Sequence, residues 1–372
     1  MILWCRVSIK SGRAGTIPRA KLAGVNHLDS KPSPDKPARR PRYPGKNPRA
    51  FDQKYKEHQP DRYAAEVAKV LEAGKTPAGS HRPIMVREIL EILSPGAGEV
   101  AVDATLGHGG HARELLAAVQ PGGRLIGVDA DPVECSKTEA RLRELGYPPD
   151  AILVRRMNFA GLAPLVIAEA PGGADMVLAD LGLSSMQIDD PSRGFTFKAD
   201  GPLDMRMNPE KGRSASELLS KMGVPALARI LLENADEPLA DDLAGAILEA
   251  HAARPLSTTR ALASVVCSVY HRASADDAVR RVFQALRIAV NDELGSLDSL
   301  LKGLPACLKP GGRVAILSFH SGEDRRVKAA FKMGLGVGIY ATIAAEPIRP
   351  SSEERRANPR CTSAKLRYAI RA

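Results

Sequence analysis

The strongest constraint on this chain is an alternation. Short apolar runs at 100–104, 124–129, 152–156, 176–180 and 313–319 are interleaved with helical stretches at 111–119, 132–145, 159–169 and 323–332, and turn chemistry such as PGG precedes several of the runs. A strand that must run parallel to its predecessor cannot return through a tight turn; it needs a crossover of a dozen or so residues, usually a helix. The pattern therefore predicts an α/β protein with a mostly parallel sheet covered on both faces. With 372 residues, 44% of them apolar, the chain can bury a large core and has the length of about two domains.

The alternation breaks between the fourth and fifth runs. From 202 to 285 the sequence reads as helical throughout (SASELLSKM, PALARILLENA, DDLAGAILEAHAAR, TTRALASVVCSVYH), which predicts an all-helical domain inserted into the sheet-bearing one. The expected division is an arm at 1–80, a cofactor-binding domain at 81–201 and 286–345, the helical insertion at 202–285, and a basic C-terminal segment at 346–372.

Charge is unevenly placed. Residues 1–80 carry 17 Lys and Arg against 7 Asp and Glu, and residues 325–372 carry 11 against 3, so two basic ends flank a body of opposite sign. Such ends suit a polyanionic partner, because each cation that neutralises a phosphate releases a counterion; they also keep a protein soluble. Within the first end, 30–60 is rich in Pro, Lys and Arg and poor in apolar residues, which predicts a flexible arm. A short helix is expected at 61–73. No run approaches the roughly 20 apolar residues of a membrane span. Five scattered cysteines without a C-x-x-C spacing give no disulfide framework or zinc site. These features point to a cytoplasmic protein without a membrane partner; an organellar presequence at 1–28, which lacks acidic residues, is the alternative. Oligomeric state is not legible.

Chemistry concentrates where EVAVDATLGHGGHA joins the first strand to the first helix. Glycines are needed where a ligand approaches the backbone or φ is positive, and a helix N-terminus offers free N–H donors. This is the grammar of a nucleotide-type cofactor loop. Gly107-x-Gly109-x-x-Ala112 also satisfies the dinucleotide fingerprint, with Asp129 about 20 residues on for a ribose. Asp103, just before the loop, would repel a pyrophosphate but suits the ammonium of a methionine moiety, so the reading leans to S-adenosylmethionine with a nicotinamide cofactor as rival.

Asp129 ends the second strand, where a carboxylate can accept both ribose hydroxyls or simply cap the next helix. Phe159 follows the third strand and can pack on an adenine ring or in the core. Asp180 ends the fourth, at the sheet edge where open α/β sheets bind ligands. The Pro-Pro signature common beside such an acid in amine methyltransferases is missing. His108 and His111 have no cluster of further ligands beside them, so no metal site is expected. His320 reads as a structural hydrogen-bonder at the end of the fifth strand.

The motifs HRPIMVREIL, DATLGHGGHA, GVDADP, ADLGLSSMQIDD, RGFTFKADGPLDMRMNP, FQALRIAVNDEL, LSFHSGEDRRVK and NPRCTSAKLR occur in this order. On them the chain resembles the MraW family, also called RsmH, of 16S ribosomal RNA cytosine-N4 methyltransferases, from His81 to near the C-terminus. The resemblance implies a class I Rossmann-like methyltransferase fold with a helical insertion. It implies S-adenosylmethionine as cofactor, held by residues matching Gly109, Gly110, His111, Asp129, Phe159, Asp180 and Gln187. The implied partner is small-subunit ribosomal RNA or the ribosomal subunit, with N4-methylcytidine in the decoding centre as product. Gly322 stands where the family usually has Leu, and His108 where Arg is common. A cytosine amine is a poor nucleophile because its lone pair is delocalised into the ring, so an acceptor that orients it is needed, and Asp180 is the expected catalytic residue. A nicotinamide-dependent oxidoreductase and a non-catalytic RNA-binding assembly factor are the rival functions.

Overall fold

A computed structural model of the chain describes residues 83–270 and 274–372. The arm expected at 30–60, the helix at 61–73 and the presequence at 1–28 lie outside the described residues. The first element among the described residues is helix α1 (Val86–Leu93). Then strands and helices alternate: β1 (Val100–Asp103), α2 (Gly110–Val119), β2 (Arg124–Asp129), α3 (Pro132–Arg143), β3 (Ile152–Arg156), α4 (Leu162–Glu169) and β4 (Ala174–Asp180). A short helix α5 (Ser185–Asp189) leads into α6 (Ala215–Leu219), α7 (Val224–Ala235), α8 (Ala240–Ala253), α9 (Thr259–Val269) and α10 (Ala275–Asn291). Helix α11 (Glu293–Cys307) returns to the sheet, followed by β5 (Leu308–Ser318), α12 (Ser321–Gly336), β6 (Tyr340–Ile343), α13 (Ser352–Ala357) and β7 (Lys365–Arg371).

The seven strands among the described residues lie in one sheet in the order β3-β2-β1-β4-β5-β7-β6. Strands β1 to β5 pair in parallel, and β7 runs antiparallel to both of its neighbours. Period-two side-chain alternation builds two cores from the same strands. Leu125, Met176 and Leu178 face Ile89, Leu115 and Leu116 on one side, whereas Ile126, Val128 and Val177 face Leu162, Leu297 and Phe331 on the other. Both faces are covered, so β4 is apolar at nearly every position and buried along its length up to the half-buried Asp180.

A third core belongs to the helical insertion. It runs from Phe195 to Leu286 and joins Leu203 and Met205 to α6 through α10. The insertion leaves the sheet after β4, and the chain re-enters through Asp292, whose φ of 47° turns α10 into α11.

The last strand changes the reading of the basic C-terminal segment. Residues 365–371 form β7 inside the sheet, and Arg367 is buried there because its Nε lies 2.6 Å from Asp324 of α12. Lys365 bonds the same carboxylate at 2.8 Å, and Arg360 pairs with Asp189 at 2.6 Å. Part of the positive charge at this end is thus neutralised within the fold. No helix of the described residues is long and apolar enough to cross a membrane.

Candidate active site

The carboxyl ends of β1, β2 and β4 open into a cavity of about 480 Å³. Its far wall is supplied by Met207, Arg287 and Asn291 of the insertion and by Glu293 of α11. Such a crevice, at the point where strand order reverses between β1 and β4, is where doubly wound sheets bind ligands.

The glycine loop is fixed at both ends. Gly107, with φ of 46°, donates its N–H to Asp129 Oδ2 at 2.7 Å, and its carbonyl accepts from Thr138 Oγ1 at 2.5 Å. Gly109 has φ of 77° and caps α2. A Cβ on it would lie 2.6 Å from Thr138 Cγ2, so this glycine faces α3 and lets loop and helix approach. Gly110 and His111 line the cavity.

Asp129 lines the cavity with its carboxylate already braced, Oδ2 by Gly107 N and Oδ1 by Asp131 N at 2.7 Å. Burial raises its pKa above the ordinary value against the pull of these two N–H bonds. The capping role falls instead to Asp131, which accepts from Val133 N at 3.0 Å and Glu134 N at 3.4 Å. Phe159 lines the cavity from a 3₁₀ turn after β3.

Gln187 reaches the same cavity from α5, where it closes a capping box: Ser184 N donates to its Oε1 at 2.9 Å. Its Nε2 donates to Asp131 Oδ2 at 2.9 Å, and Arg193 Nη1 donates to that same oxygen at 2.8 Å. Arg193 also holds the carbonyl of Met207 at 2.8 Å, so Asp131 ties the sheet to the strap that enters the helical domain. Sequence reading passed over Asp131; its signal was the second acid of GVDADP, directly ahead of Pro132.

Asp180 is the most reactive-looking group. Its N–H donates to Thr105 Oγ1 at 2.6 Å, and its Oδ2 stands 3.5 Å from His111 Nε2. Oδ1 is buried and has no hydrogen-bond partner among the described residues. Behind them Asp103 is almost wholly buried, and burial pushes its carboxyl up to about 6 despite the neighbouring imidazole and the N–H of Thr105. Burial opposes a charge on His111, but Asp180 and Asp103 outweigh it and raise the imidazole above its usual value. The two loop histidines face different acids, since His108 Nε2 lies 3.0 Å from Glu134.

On the opposite side Glu293, His320 and Glu323 bring three ligand-type atoms within 4.8 Å of one another. Each carboxylate is already engaged. Arg287 grips Glu293 through Nε at 2.8 Å and Nη2 at 2.9 Å, and Glu323 accepts from Phe319 N at 2.8 Å. His320 caps α12 together with Glu323, which is a structural role. Ser321 turns away to Asp236 at 2.9 Å. Of the residues expected at the site, Gly110, His111, Asp129, Phe159, Asp180 and Gln187 line one cavity, and Gly109 lies behind it.

Comparison with known proteins adds a family. The sequence model of the MraW methylase family matches residues 78–372. The chain is 47% identical to ribosomal RNA small subunit methyltransferase H 1 of Lachnoclostridium phytofermentans over 342 residues, covering 90% of this chain and 93% of that protein. It is 46% identical to ribosomal RNA small subunit methyltransferase H 2 of Alkaliphilus metalliredigens, covering 91% and 99%. It is 44% identical to ribosomal RNA small subunit methyltransferase H 1 of Agathobacter rectalis, covering 90% and 97%.

Proposed function

The chain belongs to the MraW methylase family, and from that premise we propose that it transfers a methyl group from S-adenosylmethionine to the N4 amine of a cytosine in the decoding centre of small-subunit ribosomal RNA, with Asp180 as the catalytic residue. Family membership decides between the two cofactors that the glycine loop left open. The cavity fits S-adenosylmethionine in the chemistry of its donors and acceptors: a braced carboxylate at Asp129 for ribose hydroxyls, an aromatic face at Phe159, and an acidic pair at Asp103 and Asp180 for an ammonium or sulfonium.

When bound, the cofactor supplies a methyl group on a positively charged sulfur, an electrophile that needs no metal activation. The chain's own residues do the rest. Asp129 holds the ribose, and its bonds to Gly107 and Asp131 stop it from rotating. Asp180, which lines the cavity, offers a carboxylate oxygen to an N–H of the target amine and turns the nitrogen lone pair out of conjugation toward the methyl group. As the nitrogen gains positive charge the same oxygen is placed to receive its proton. His111, against the other oxygen, keeps the carboxylate aimed.

The observation that carries this reading is a half-buried carboxylate, Asp180, at the sheet edge and on the cavity wall of a methyltransferase-family chain, with no cation of the described residues bonded to it except the neighbouring imidazole of His111. The test is nucleoside mass spectrometry of small-subunit particles incubated with the protein and S-adenosylmethionine. N4-methylcytidine at one position is expected, and methylation of another atom or no methylation refutes the assignment.

A further inference from the structure

The helical insertion carries cations that its own fold does not use. Lys198, Lys211, Arg213, Lys221, Arg254 and Arg260 are exposed, and none makes a side-chain hydrogen bond or ion pair among the described residues. The half-buried arginines of the same domain behave differently. Arg193, Arg206, Arg281 and Arg287 are each paired with a carboxylate. Exposed cations without internal partners have been left to solvent or to a ligand.

The fold brings together the segments that carry them. Ser216 Oγ of α6 donates to Leu256 O at 2.8 Å, and Leu203 N donates to Ser257 O at 2.9 Å, so α6, the 254–258 turn and the 198–203 segment lie side by side. Arg260 N donates to Asp200 Oδ1 at 3.1 Å, which brings the start of α9 against Lys198 and its neighbours. A buried histidine fastens the arrangement. His251 Nδ1 accepts from Leu256 N at 3.1 Å, which puts the ring proton on Nε2, 2.9 Å from Ser220 Oγ. Arg213 and Lys221 therefore flank α6 where Arg254 and Arg260 flank the turn.

Acids in this stretch are engaged, and the exposed Asp200, which accepts from Arg260 N, offsets part of the charge of Arg260. Asp204 bonds Arg206, Glu217 closes the capping box of α6, and Glu210 pairs with Arg156. The chain that carries Lys211 and Arg213 starts at the site. Met207, four residues before Lys211, lines the cavity and is held there by Asn291 Oδ1 at 2.7 Å and by Arg193.

We infer that this strip, Lys198, Lys211, Arg213, Lys221, Arg254 and Arg260, is the surface on which the phosphate backbone of the RNA flanking the target nucleotide docks. The inference rests on the proposed function for its partner. Cations on flexible stems track phosphates without reading sequence, so the strip sets affinity and register, and the cavity selects the base.

The test compares two fourfold variants of the full chain. One carries Arg213→Gln, Lys221→Gln, Arg254→Gln and Arg260→Gln; the control carries Lys137→Gln, Lys302→Gln, Lys328→Gln and Lys332→Gln on the sheet domain. Binding to deproteinised small-subunit ribosomal RNA is measured across a salt series. Each lost phosphate contact to a single strand lowers the slope of log affinity against log salt by about 0.7, so the strip variant should lose about 3 and the control far less. Cofactor affinity should stay unchanged in both. Should the fourfold variant fail to fold, the pairs Arg213→Gln with Lys221→Gln and Arg254→Gln with Arg260→Gln should each lose about half that slope. Equal slopes in strip and control variants overturn the inference. So does a defect seen on intact particles but not on deproteinised RNA, which would make the partner an acidic protein surface. Transfer of methyl groups to small-subunit RNA by the unaltered protein is checked first. Its absence sinks the function, whereas its presence with an unchanged slope sinks the strip alone.

Discussion

His111 Nε2 stands 3.5 Å from Asp180 Oδ2, and the second oxygen of that carboxylate is buried and unpartnered among the described residues. The imidazole thus faces one oxygen across an ion-pair distance, and neither group spends its charge on a further partner among the described residues. Asp180→Asn keeps the size but removes the charge and half of the acceptor capacity. If Asp180 orients the amine, single-turnover methylation of small-subunit particles at saturating cofactor should fall about 100-fold, with RNA affinity little changed. A near-normal rate at saturation would leave Asp180 as a cofactor ligand only.

Asp129 is braced by two backbone N–H groups before any ligand arrives. Asp129→Ala should therefore weaken S-adenosylmethionine by about 10- to 100-fold, the equivalent of roughly 1.5 to 3 kcal/mol of lost hydrogen bonds. Calorimetry on the folded variant checks this. Because burial raises the Asp129 carboxyl, affinity in the unaltered protein should begin to fall at a higher pH on acidification than an exposed aspartate would give.

Asp103 gives a prediction about stability. Its folded pKa, about 6, is above the unfolded value of 3.8, so the native state is penalised as pH rises through that window and fully so above it. A shift of about two units corresponds to roughly 3 kcal/mol. Asp103→Asn should then raise the melting temperature at pH 8 and have little effect near pH 3.5, while cofactor affinity falls. A variant less stable than the parent at pH 8 would show that Asp103 is favourably paired in its charged form.

A side chain at Gly109 would point at Thr138. Gly109→Ala combines a left-handed backbone, worth about 1 to 2 kcal/mol, with a Cβ that would meet Thr138 Cγ2 at 2.6 Å. Adding Thr138→Ser removes that methyl group and keeps the hydroxyl that bonds Gly107. The double variant should melt above Gly109→Ala alone. If the second change gives no recovery, the glycine is required for its conformation only.

The sheet was legible in sequence where apolar runs stand between turns: β2 and β3 begin and end where their runs do. Strands β6 and β7 were not, for two reasons. The first has four residues, and the second carries Lys365, Arg367 and Arg371 where alternation should show apolar side chains. Arg367 turns inward only because Asp324 is there, a pairing 43 residues apart that no local pattern reveals. The site divides the same way. The loop, Asp129 and Asp180 follow from their positions at strand ends, whereas the grip of Arg287 on Glu293 and the convergence on Asp131 depend on how the insertion folds back.

Asp131 Oδ2 receives Gln187 from the cavity wall and Arg193 from the strap into the helical domain. A single atom thereby sits in two equilibria at once. A ligand that reorders Gln187 would do so at an acceptor that the strap also uses, and any coupling that resulted would be equal in the two directions. The two substrates of a transfer reaction would then be felt by one another through a shared acceptor, before either reaches the other across the cavity.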